Sequence, residues 1–353
     1  MTEITPAPHP LAQRFTDLLS ARLGGRALAC SDAWFAPAAN LVSPGDAISR
    51  PGHFVETGQW MDGWESRRSF ARGSRGDGDC DWCVLRLGAP GRVRGFDIDT
   101  SHFRGNAPEF ALVEGTCIAG EPHGNTCWQP LLHKSPLRAD AHNFFEIDSE
   151  QVCTHLRLKI FPDGGVARLR AYGEARVNLQ EFIEGELLDL AAARHGGRGV
   201  TCSDRFYSDP GNLLLPERGI NMGDGWETRR RRDDGNDWAV IRLGLPGSIR
   251  KIVLDTAHFK GNFPDRFSLL AANVAGDDMA AEDIPWATVI DETPLYADRE
   301  HIFVGEILVA AETQFTHVKL NIFPDGGVSR LRVLGFPDWR AADDRLFELP
   351  RQD

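Results

Sequence analysis

The feature that most constrains the fold of this chain is an internal duplication. Segments of its first half recur in its second half, in the same order and at nearly the same spacing. The paired segments are CSDAWFAPAANLVSPG from Cys30 with CSDRFYSDPGNLLLPE from Cys202, DGWESRR from Asp62 with DGWETRR from Asp224, the stretch from Asp81 to DTSHFRGN with that from Asp237 to DTAHFKGN, and HLRLKIFPDGGVARLRAYG from His155 with HVKLNIFPDGGVSRLRVLG from His317. A repeat of about 150 residues has a typical domain size, so the chain is predicted to contain two copies of one domain.

Within each repeat the apolar runs are short and alternate with polar residues. CVLRLG and GFDIDT in the first repeat correspond to AVIRLG and KIVLDT in the second. Strict alternation indicates half-buried strands, and 36 glycines and 21 prolines supply many turns. The pattern therefore predicts an all-β chain of two tandem jelly-roll β-sandwich domains with short linking helices.

The segments outside the shared motifs set the expected boundaries. We place the first repeat at residues 25–173 and the second at residues 201–337. The pattern of residues 10–23 predicts a short amphipathic helix in an N-terminal segment, 1–24. QEFIEGELLDLAAAR predicts a helix in a linker, 174–200, which ends at a run of glycines. The charged residues 338–353 are expected to be a tail that extends freely or packs on a partner.

Charge and cysteine content narrow the class of protein. The net charge is −12, from 39 basic and 51 acidic residues, which disfavours binding to nucleic acid or an anionic membrane. No apolar run approaches the roughly 20 residues of a membrane helix, and the first residues lack a signal-peptide pattern. We therefore expect a cytoplasmic protein whose seven cysteines are thiols. Cys80 and Cys83 form a CDWC that the second repeat lacks, so a structural role is expected for them.

Three motifs in both repeats resemble those of the allantoicase family. They are DGWE-[ST]-RR, DT-[SA]-HF-[RK]-GN-x-P and FPDGGV-x-RLR, and the resemblance extends from about Cys30 to Gly335. It implies two jelly-roll domains similar to galactose-binding modules. It also implies hydrolysis of allantoate to ureidoglycolate and urea in purine breakdown, by way of allantoin degradation. The implied ligand is the small molecule allantoate, and we expect a homo-oligomer.

The arginines of the third motif are candidate ligands for the substrate carboxylate. Allantoate carries a carboxylate and two ureido groups on one carbon. Arg168 and Arg170 are two apart on a predicted strand and so share a face, as do Arg330 and Arg332. The planar guanidinium fork matches a carboxylate. The alternative is a solvated strand face or ion pairs with nearby acidic residues.

The other two motifs supply candidate acid–base groups. In DT-[SA]-HF-[RK]-GN, an aspartate three residues before a histidine could fix its tautomer, and the basic residue and asparagine could bind a ureido group or carboxylate. The glutamate of DGWE, next to a tryptophan, could be desolvated and act as an acid, or pair with an arginine. The predicted catalytic residues are Asp99, His102, Glu65, Asp255, His258 and Glu227, and further predicted binding residues are Arg104, Asn106, Lys260 and Asn262.

No metal-binding pattern such as HExxH is present, so we predict no metal site and no cofactor. Two alternatives remain open at this level. One is a non-catalytic jelly-roll module that binds a small anionic or sugar ligand. In the other, one repeat catalyses the reaction and the second is structural, or the site lies between domains or subunits.

Overall fold

The computed structural model describes residues 9–69, 80–279 and 284–350. Residues 1–8 of the predicted N-terminal segment and 351–353 of the predicted tail lie outside them. The chain divides into two compact units, one up to Asn178 together with the residues from Phe347 onward, and the other Leu179–Leu346.

The first unit consists almost entirely of β-strands. Its elements are helix α1 (Pro10–Arg14) and strands β1 (Thr16–Asp17), β2 (Arg26–Cys30), β3 (Phe54–Val55), β4 (Gly58–Gln59), β5 (Trp64–Glu65), β6 (Asp81–Asp99), β7 (Phe110–Thr116), β8 (Gln129–Pro136), β9 (His142–Glu146), β10 (Val152–Phe161), β11 (Gly165–Val166), β12 (Arg168–Ala175) and β13 (Val177–Asn178), with 3₁₀ turns at Ala21–Leu23 and Ala38–Val42. The strand order is β1-β12-β6-β10-β7-β8, and β2 and β9 also pair with β6.

The second unit repeats this plan. Its strands are β14 (Leu188–Asp189), β15 (Arg198–Cys202), β16 (Trp226–Glu227), β17 (Asp237–Asp255), β18 (Arg266–Ala272), β19 (Ala287–Pro294), β20 (Glu300–Phe303), β21 (Gln314–Phe323), β22 (Gly327–Val328) and β23 (Arg330–Pro337), with 3₁₀ turns at Leu179–Glu181, Ala193–His195, Pro210–Leu214, Met222–Asp224 and Asp343–Arg345. A short last strand, β24 (Leu346–Phe347), begins at the final residue of this unit. The order β14-β23-β17-β21-β18-β19, with β15 and β20 on β17, matches the first unit strand for strand. The predicted all-β fold of two tandem jelly-roll domains is confirmed.

A fully buried core fills each sandwich. It contains one tryptophan from DGWE in each unit, Trp64 and Trp226, whose indole N–H donates to the backbone oxygen of Asp32 and Asp204, respectively. A phenylalanine of the second motif, Phe103 or Phe259, is buried beside it. Two motif aromatics are therefore explained by packing alone.

The two predicted amphipathic helices are wrong over most of their length. In the first segment the α-helix is limited to Pro10–Arg14, and Gln180–Arg194 holds no α-helix. In each of the two segments a short strand that contains an aspartate, β1 or β14, lies where the sequence pattern predicts a helix. The Asp17 carboxylate accepts the backbone N–H of Leu19 and Ala171, and the Asp189 carboxylate accepts those of Ala191 and Val333. An acidic side chain that bonds nearby backbone in this way competes with helix formation.

The tail after the second repeat is attached to its own unit rather than free. The Arg345 guanidinium donates to the backbone oxygens of Leu243 and Gly244, and Trp339 lies against Phe182 with ring centroids 5.9 Å apart. The expected extension into solvent is therefore wrong for the described residues up to Leu346.

Candidate active site

The three shared motifs meet at a hydrogen-bonded glutamate–asparagine pair in each unit. In the second unit the Asn262 amide donates to the Glu227 carboxylate at 2.6 Å. In the first unit Asn106 donates to Glu65 at 2.8 Å. Strands β5 and β16 carry the glutamates and pair with β11 and β22, which follow the PDGG turns. The predicted residues Glu65, Asn106, Glu227 and Asn262 are thus brought together in two equivalent places.

Backbone bonds and one close contact hold this arrangement in place. The first strand residue after the turn, Gly165 or Gly327, donates its N–H to the backbone oxygen of the asparagine, Asn106 or Asn262, at 2.8 Å. A side chain on either glycine would overlap the ring of the buried phenylalanine of the second motif. The glycine therefore lets the turn and the asparagine loop approach each other closely.

A cavity of about 530 Å³ opens over the pair in the second unit. Its lining includes Glu227, Asn262, Tyr207, Arg230 and Arg232. Both arginines are exposed, and neither has a hydrogen-bond or ion-pair partner within the described ranges. A carboxylic acid, an amide and two available guanidiniums suit a small anion that also carries amide-like groups.

The two arginines of DGWE-[ST]-RR have different roles. Arg67 and Arg229, the first of each pair, bind the carboxylates of Asp32 and Asp204 at 2.7 Å. The second of each pair, Arg68 or Arg230, is exposed. The arginines of this motif were predicted only as possible ion-pair partners of the DGWE glutamate, and Arg68 and Arg230 were not among the predicted binding residues. The signal was the doubled arginine itself, which recurs in both repeats.

Burial favours the neutral form of the first-unit glutamate. Desolvation raises the pKa of Glu65, and the hydrogen bond from Asn106 opposes part of this rise. A carboxyl group with a raised pKa is protonated in a larger fraction of molecules near neutral pH, and it is then available to donate a proton to a leaving group. This agrees with the direction predicted for a glutamate beside a tryptophan.

Arg168 and Arg330 are the buried partners of the DGWE aspartates. The Arg168 guanidinium donates to the Asp62 carboxylate at 2.7 Å, and Arg330 donates to Asp224 at the same distance. Both arginine side chains are 4% exposed. Arg330 also donates to the backbone oxygens of Glu217, Asp224 and Ser329. These two guanidiniums tie the loop before DGWE to the sheet.

The second arginine of each RLR segment binds the same loop. Arg170 donates to the backbone oxygen of Ser43 at 2.7 Å, and Arg332 donates to that of Glu217 at 2.7 Å. Asp17 and Asp189 lie 3.5 and 3.7 Å from these guanidiniums. Burial raises the pKa of Asp189 to about 6, which the charge of Arg332 partly opposes. All four arginines predicted to bind the substrate carboxylate therefore have partners within the protein.

The predicted pairing of each aspartate with the histidine three residues later is replaced by other contacts. The His102 Nε2–H donates to the backbone oxygen of Ala47 at 3.1 Å, and the His258 Nε2–H donates to that of Gly219 at 2.7 Å. Both histidines have positive φ angles, 70° and 71°. Their backbone N–H groups donate to Asp140 and Asp298.

The aspartates have different surroundings in the two units. Asp99 accepts the backbone N–H of Ser101 at 2.8 Å. Asp255 binds both Arg218 Nε and Nη2, at 2.7 and 2.9 Å. Burial tends to raise the pKa of Asp255, but the hydrogen bonds from Arg218 and the Ala257 N–H, together with the charges of Arg218 and Arg330, lower that pKa overall.

The basic residues of the second motif lie at the surface. Arg104 pairs with Asp140 at 2.9 Å, and its side chain is 81% exposed. Lys260 is likewise exposed. Each is two residues from the asparagine of the glutamate–asparagine pair, so the predicted binding role of Arg104 and Lys260 stays a prediction.

A histidine–aspartate pair in the first unit was not among the predicted site residues. The Asp97 carboxylate is 5% exposed and accepts from His142 Nδ1 at 2.8 Å. This hydrogen bond raises the pKa of His142 to about 9, against the effect of burial. Strand register places Val253 and Glu300 at the equivalent positions of the second unit. The pair therefore belongs to one unit only.

The remaining sequence features give no support to a metal site or a redox site. Cys80 and Cys83 are buried, and desolvation raises the pKa of the Cys83 thiol far above neutrality. Across residues 9–69, 80–279 and 284–350, no group of three or more His, Cys, Asp or Glu side chains is placed to hold a metal ion. Over the same ranges, no helix has the length and apolar character needed to cross a membrane.

These observations define a two-domain jelly-roll protein with a hydrogen-bonded glutamate–asparagine pair in each domain and an arginine-lined cavity over that pair in the second. The allantoicase repeat model matches residues 16–176 and 188–338. The chain belongs to the allantoicase family. The matches begin at the short strands β1 and β14, which the sequence analysis had placed in helices.

Relatives and a solved structure agree with this assignment. The "Probable allantoicase" of Pseudomonas aeruginosa (strain UCBPP-PA14) is 47% identical over 335 residues, covering 94% of this chain and 98% of the relative. The allantoicase of Dictyostelium discoideum is 44% identical, covering 90% and 86%. The crystal structure of allantoicase from Saccharomyces cerevisiae superposes with a TM-score of 0.76 at 34% identity, covering 92% and 94%.

Proposed function

We propose that this chain is a hydrolase that converts allantoate and water to ureidoglycolate and urea in allantoin and purine catabolism. Family membership and the coverage of its named relatives support the activity. The observation that supports the location of the chemistry is the convergence of all three motifs on the glutamate–asparagine pair. The alternative of a non-catalytic binding module does not require a half-buried carboxylic acid at that point.

The available arginines would bind the substrate carboxylate. Arg230 and Arg232 line the same cavity as Glu227, and Arg68 is the counterpart of Arg230 in the first unit. A bidentate guanidinium–carboxylate contact orients the substrate as well as binding it. Asn262 or Asn106 positions the glutamate and can also bond a ureido oxygen.

The glutamate would act first as a general acid and then as a general base. It donates its proton to the departing ureido nitrogen as the bond between that nitrogen and the central carbon breaks. The lone pair of the remaining ureido nitrogen stabilises the carbon that has lost its substituent. The glutamate then removes a proton from water as the water oxygen bonds to that carbon. The carboxylic acid is regenerated, so the protons balance over one turnover.

This assignment supersedes the predicted catalytic roles of Asp99, His102, Asp255 and His258 in our proposal. The two histidines hold loops by bonds to backbone carbonyls. Asp255 is neutralised by Arg218. The four RLR arginines support the loop before DGWE, and so we propose that they act on the substrate only through that loop.

Variants of the two glutamates test the proposal. Urea and ureidoglycolate would be measured for the wild type, Glu65→Gln, Glu227→Gln and the double variant, with Glu312→Gln as an exposed control. The double variant should lose about 10²- to 10⁴-fold in turnover, the contribution of a general acid–base group. Each single variant should lose about half if both units act, or one variant should lose nearly everything if one unit acts. A double variant with wild-type turnover would refute the assigned role.

Two further controls address the activity itself. Wild-type protein that releases no urea from allantoate would refute the hydrolase function. A chelator should leave the rate unchanged, as the sequence analysis predicts for a reaction without a metal, and a chelator-sensitive rate would overturn that prediction. We also propose that the protein is cytoplasmic and forms a homo-oligomer. Size-exclusion chromatography with light scattering would test the oligomeric state.

A further inference from the structure

The two units differ at one buried histidine that the proposed reaction does not use. In the second unit, His317 is 1% exposed, and its Nε2–H donates to the Asp277 carboxylate at 3.2 Å. Arg198 binds the same carboxylate, and Arg242 lies 3.5 Å from it. Two guanidiniums and an imidazole N–H thus surround one carboxylate.

The first unit has the same cationic groups in the same register. Arg26 on β2 lies opposite Arg86 on β6 in the strand register, as Arg198 on β15 lies opposite Arg242 on β17. His155 faces Arg86 as His317 faces Arg242. In both units the hydroxyl of the threonine before the histidine is hydrogen-bonded to the histidine Nδ1 at 2.9 Å. The frame that binds the Asp277 carboxylate is therefore present twice.

The carboxylate does not reach this frame in the first unit. Glu121 is the counterpart of Asp277. The backbone N–H groups of Ile118 and Val274 donate to the threonine before the histidine in their own units, and Glu121 and Asp277 each follow three residues later. The Glu121 side chain is 67% exposed, and among the described residues its ion-pair partner is Arg26, at 3.4 Å. His155 is 2% exposed, and its Nε2 has no hydrogen-bond partner in the described structure. Arg86 is exposed, and its guanidinium makes no hydrogen bond or ion pair with the described residues.

We propose that Arg26, Arg86 and His155 form a binding site for a small carboxylate in the first unit. The second unit shows that these residue types in this register bind a carboxylate. Burial and the nearby Arg86 and Arg26 charges lower the pKa of His155 to about 4, so the ring is neutral at pH 7. The neutral Nε2–H donates one hydrogen bond, and the guanidiniums supply the charge. Strand β10 separates this site from the PDGG turn, because His155 lies near its start and the turn follows its end.

Imidazole NMR of the full-length protein tests this site. Protein labelled with ¹⁵N-histidine would be titrated with sodium acetate at pH 7 and constant ionic strength, with sodium chloride as the comparison. Resonances would be assigned with His155→Gln and His317→Gln. Acetate should shift the His155 resonance saturably, and it should leave His317, which already binds Asp277, unchanged.

Three further variants make the test specific. Arg86→Gln should weaken acetate binding about tenfold or more, the effect of losing one charge-assisted hydrogen bond. Asp277→Ala should make His317 respond to acetate as His155 does. A His155 resonance that does not shift in the wild type would overturn the proposal. A shift seen only in Glu121→Gln would also overturn it, since Glu121 would then fill the site itself.

Discussion

The buried Arg330–Asp224 pair gives the sharpest test of whether the RLR arginines bind substrate or support the fold. We expect Arg330→Met to destabilise the second unit strongly. The guanidinium is 4% exposed and the carboxylate 6%, so neither charge can be solvated in place. Removing one partner of a buried pair costs about 3–5 kcal/mol, because the other charge is left without compensation.

The assay is guanidinium chloride unfolding at pH 7, followed by the fluorescence of the buried tryptophans, including Trp226 beside Asp224. Asp224→Asn should destabilise to a similar extent, since it leaves Arg330 as the uncompensated charge. Glu292→Gln is the control. Its pair with Arg266 is exposed, with side chains 53% and 42% accessible, and such pairs contribute about 0–1 kcal/mol.

The opposite result would restore the original interpretation of these residues. If Arg330→Met unfolded within about 1 kcal/mol of the wild type while KM for allantoate rose, the arginine would be a substrate clamp. The counterpart variant, Arg168→Met, should behave in the same way in the first unit, because Arg168 is also 4% exposed and binds Asp62 at 2.7 Å.

Two further predictions concern the first-unit dyad and the turn glycine. Asp97→Asn should lower the pKa of His142 from about 9 toward its ordinary 6.5, as followed by imidazole NMR, and an unchanged pKa would contradict the assigned cause. Because the folded-state pKa of His142 is raised, its contribution to stability is complete below pH 6.5 and is lost as the pH rises through 9; pH-dependent unfolding of the wild type and Asp97→Asn should diverge over that interval. Gly327→Ala should lower both stability and turnover, because its Cβ would overlap the Phe259 ring and displace the loop of Asn262; normal turnover would show that the loop can adapt.

The fold could be predicted from the sequence because its determinants are local. Alternating residues and Pro-Gly turns identify strands, and a duplicated order of motifs identifies two domains. The helix predictions around Asp17 and Asp189 were wrong because the decisive interactions are long-range: each carboxylate caps a strand about 150 residues away in sequence, at Ala171 or Val333.

The site was predictable only in part, for a related reason. Glu65 and Asn106 are 41 residues apart, and their contact depends on how two loops meet around the PDGG turn. A sequence shows which residues carry charge but not which charges already have partners: Arg168, a predicted binding residue, is bound to Asp62, whereas Arg68 is exposed. The Asp97–His142 pair was hidden because one strand register, rather than sequence proximity, brings the two residues together.

The long central strand of each unit has a consequence for cooperativity. Strand β6 pairs with β10 and β2 along its first half and with β12 and β9 along its second half. Strand β17 has the same four neighbours in the second unit. One continuous segment of backbone therefore carries the ladder hydrogen bonds to all four of these neighbours. We expect the backbone amides of each central strand to exchange with solvent only when the whole unit unfolds. Amide hydrogen exchange in β6 and β17 should then report the free energy of unfolding of that unit.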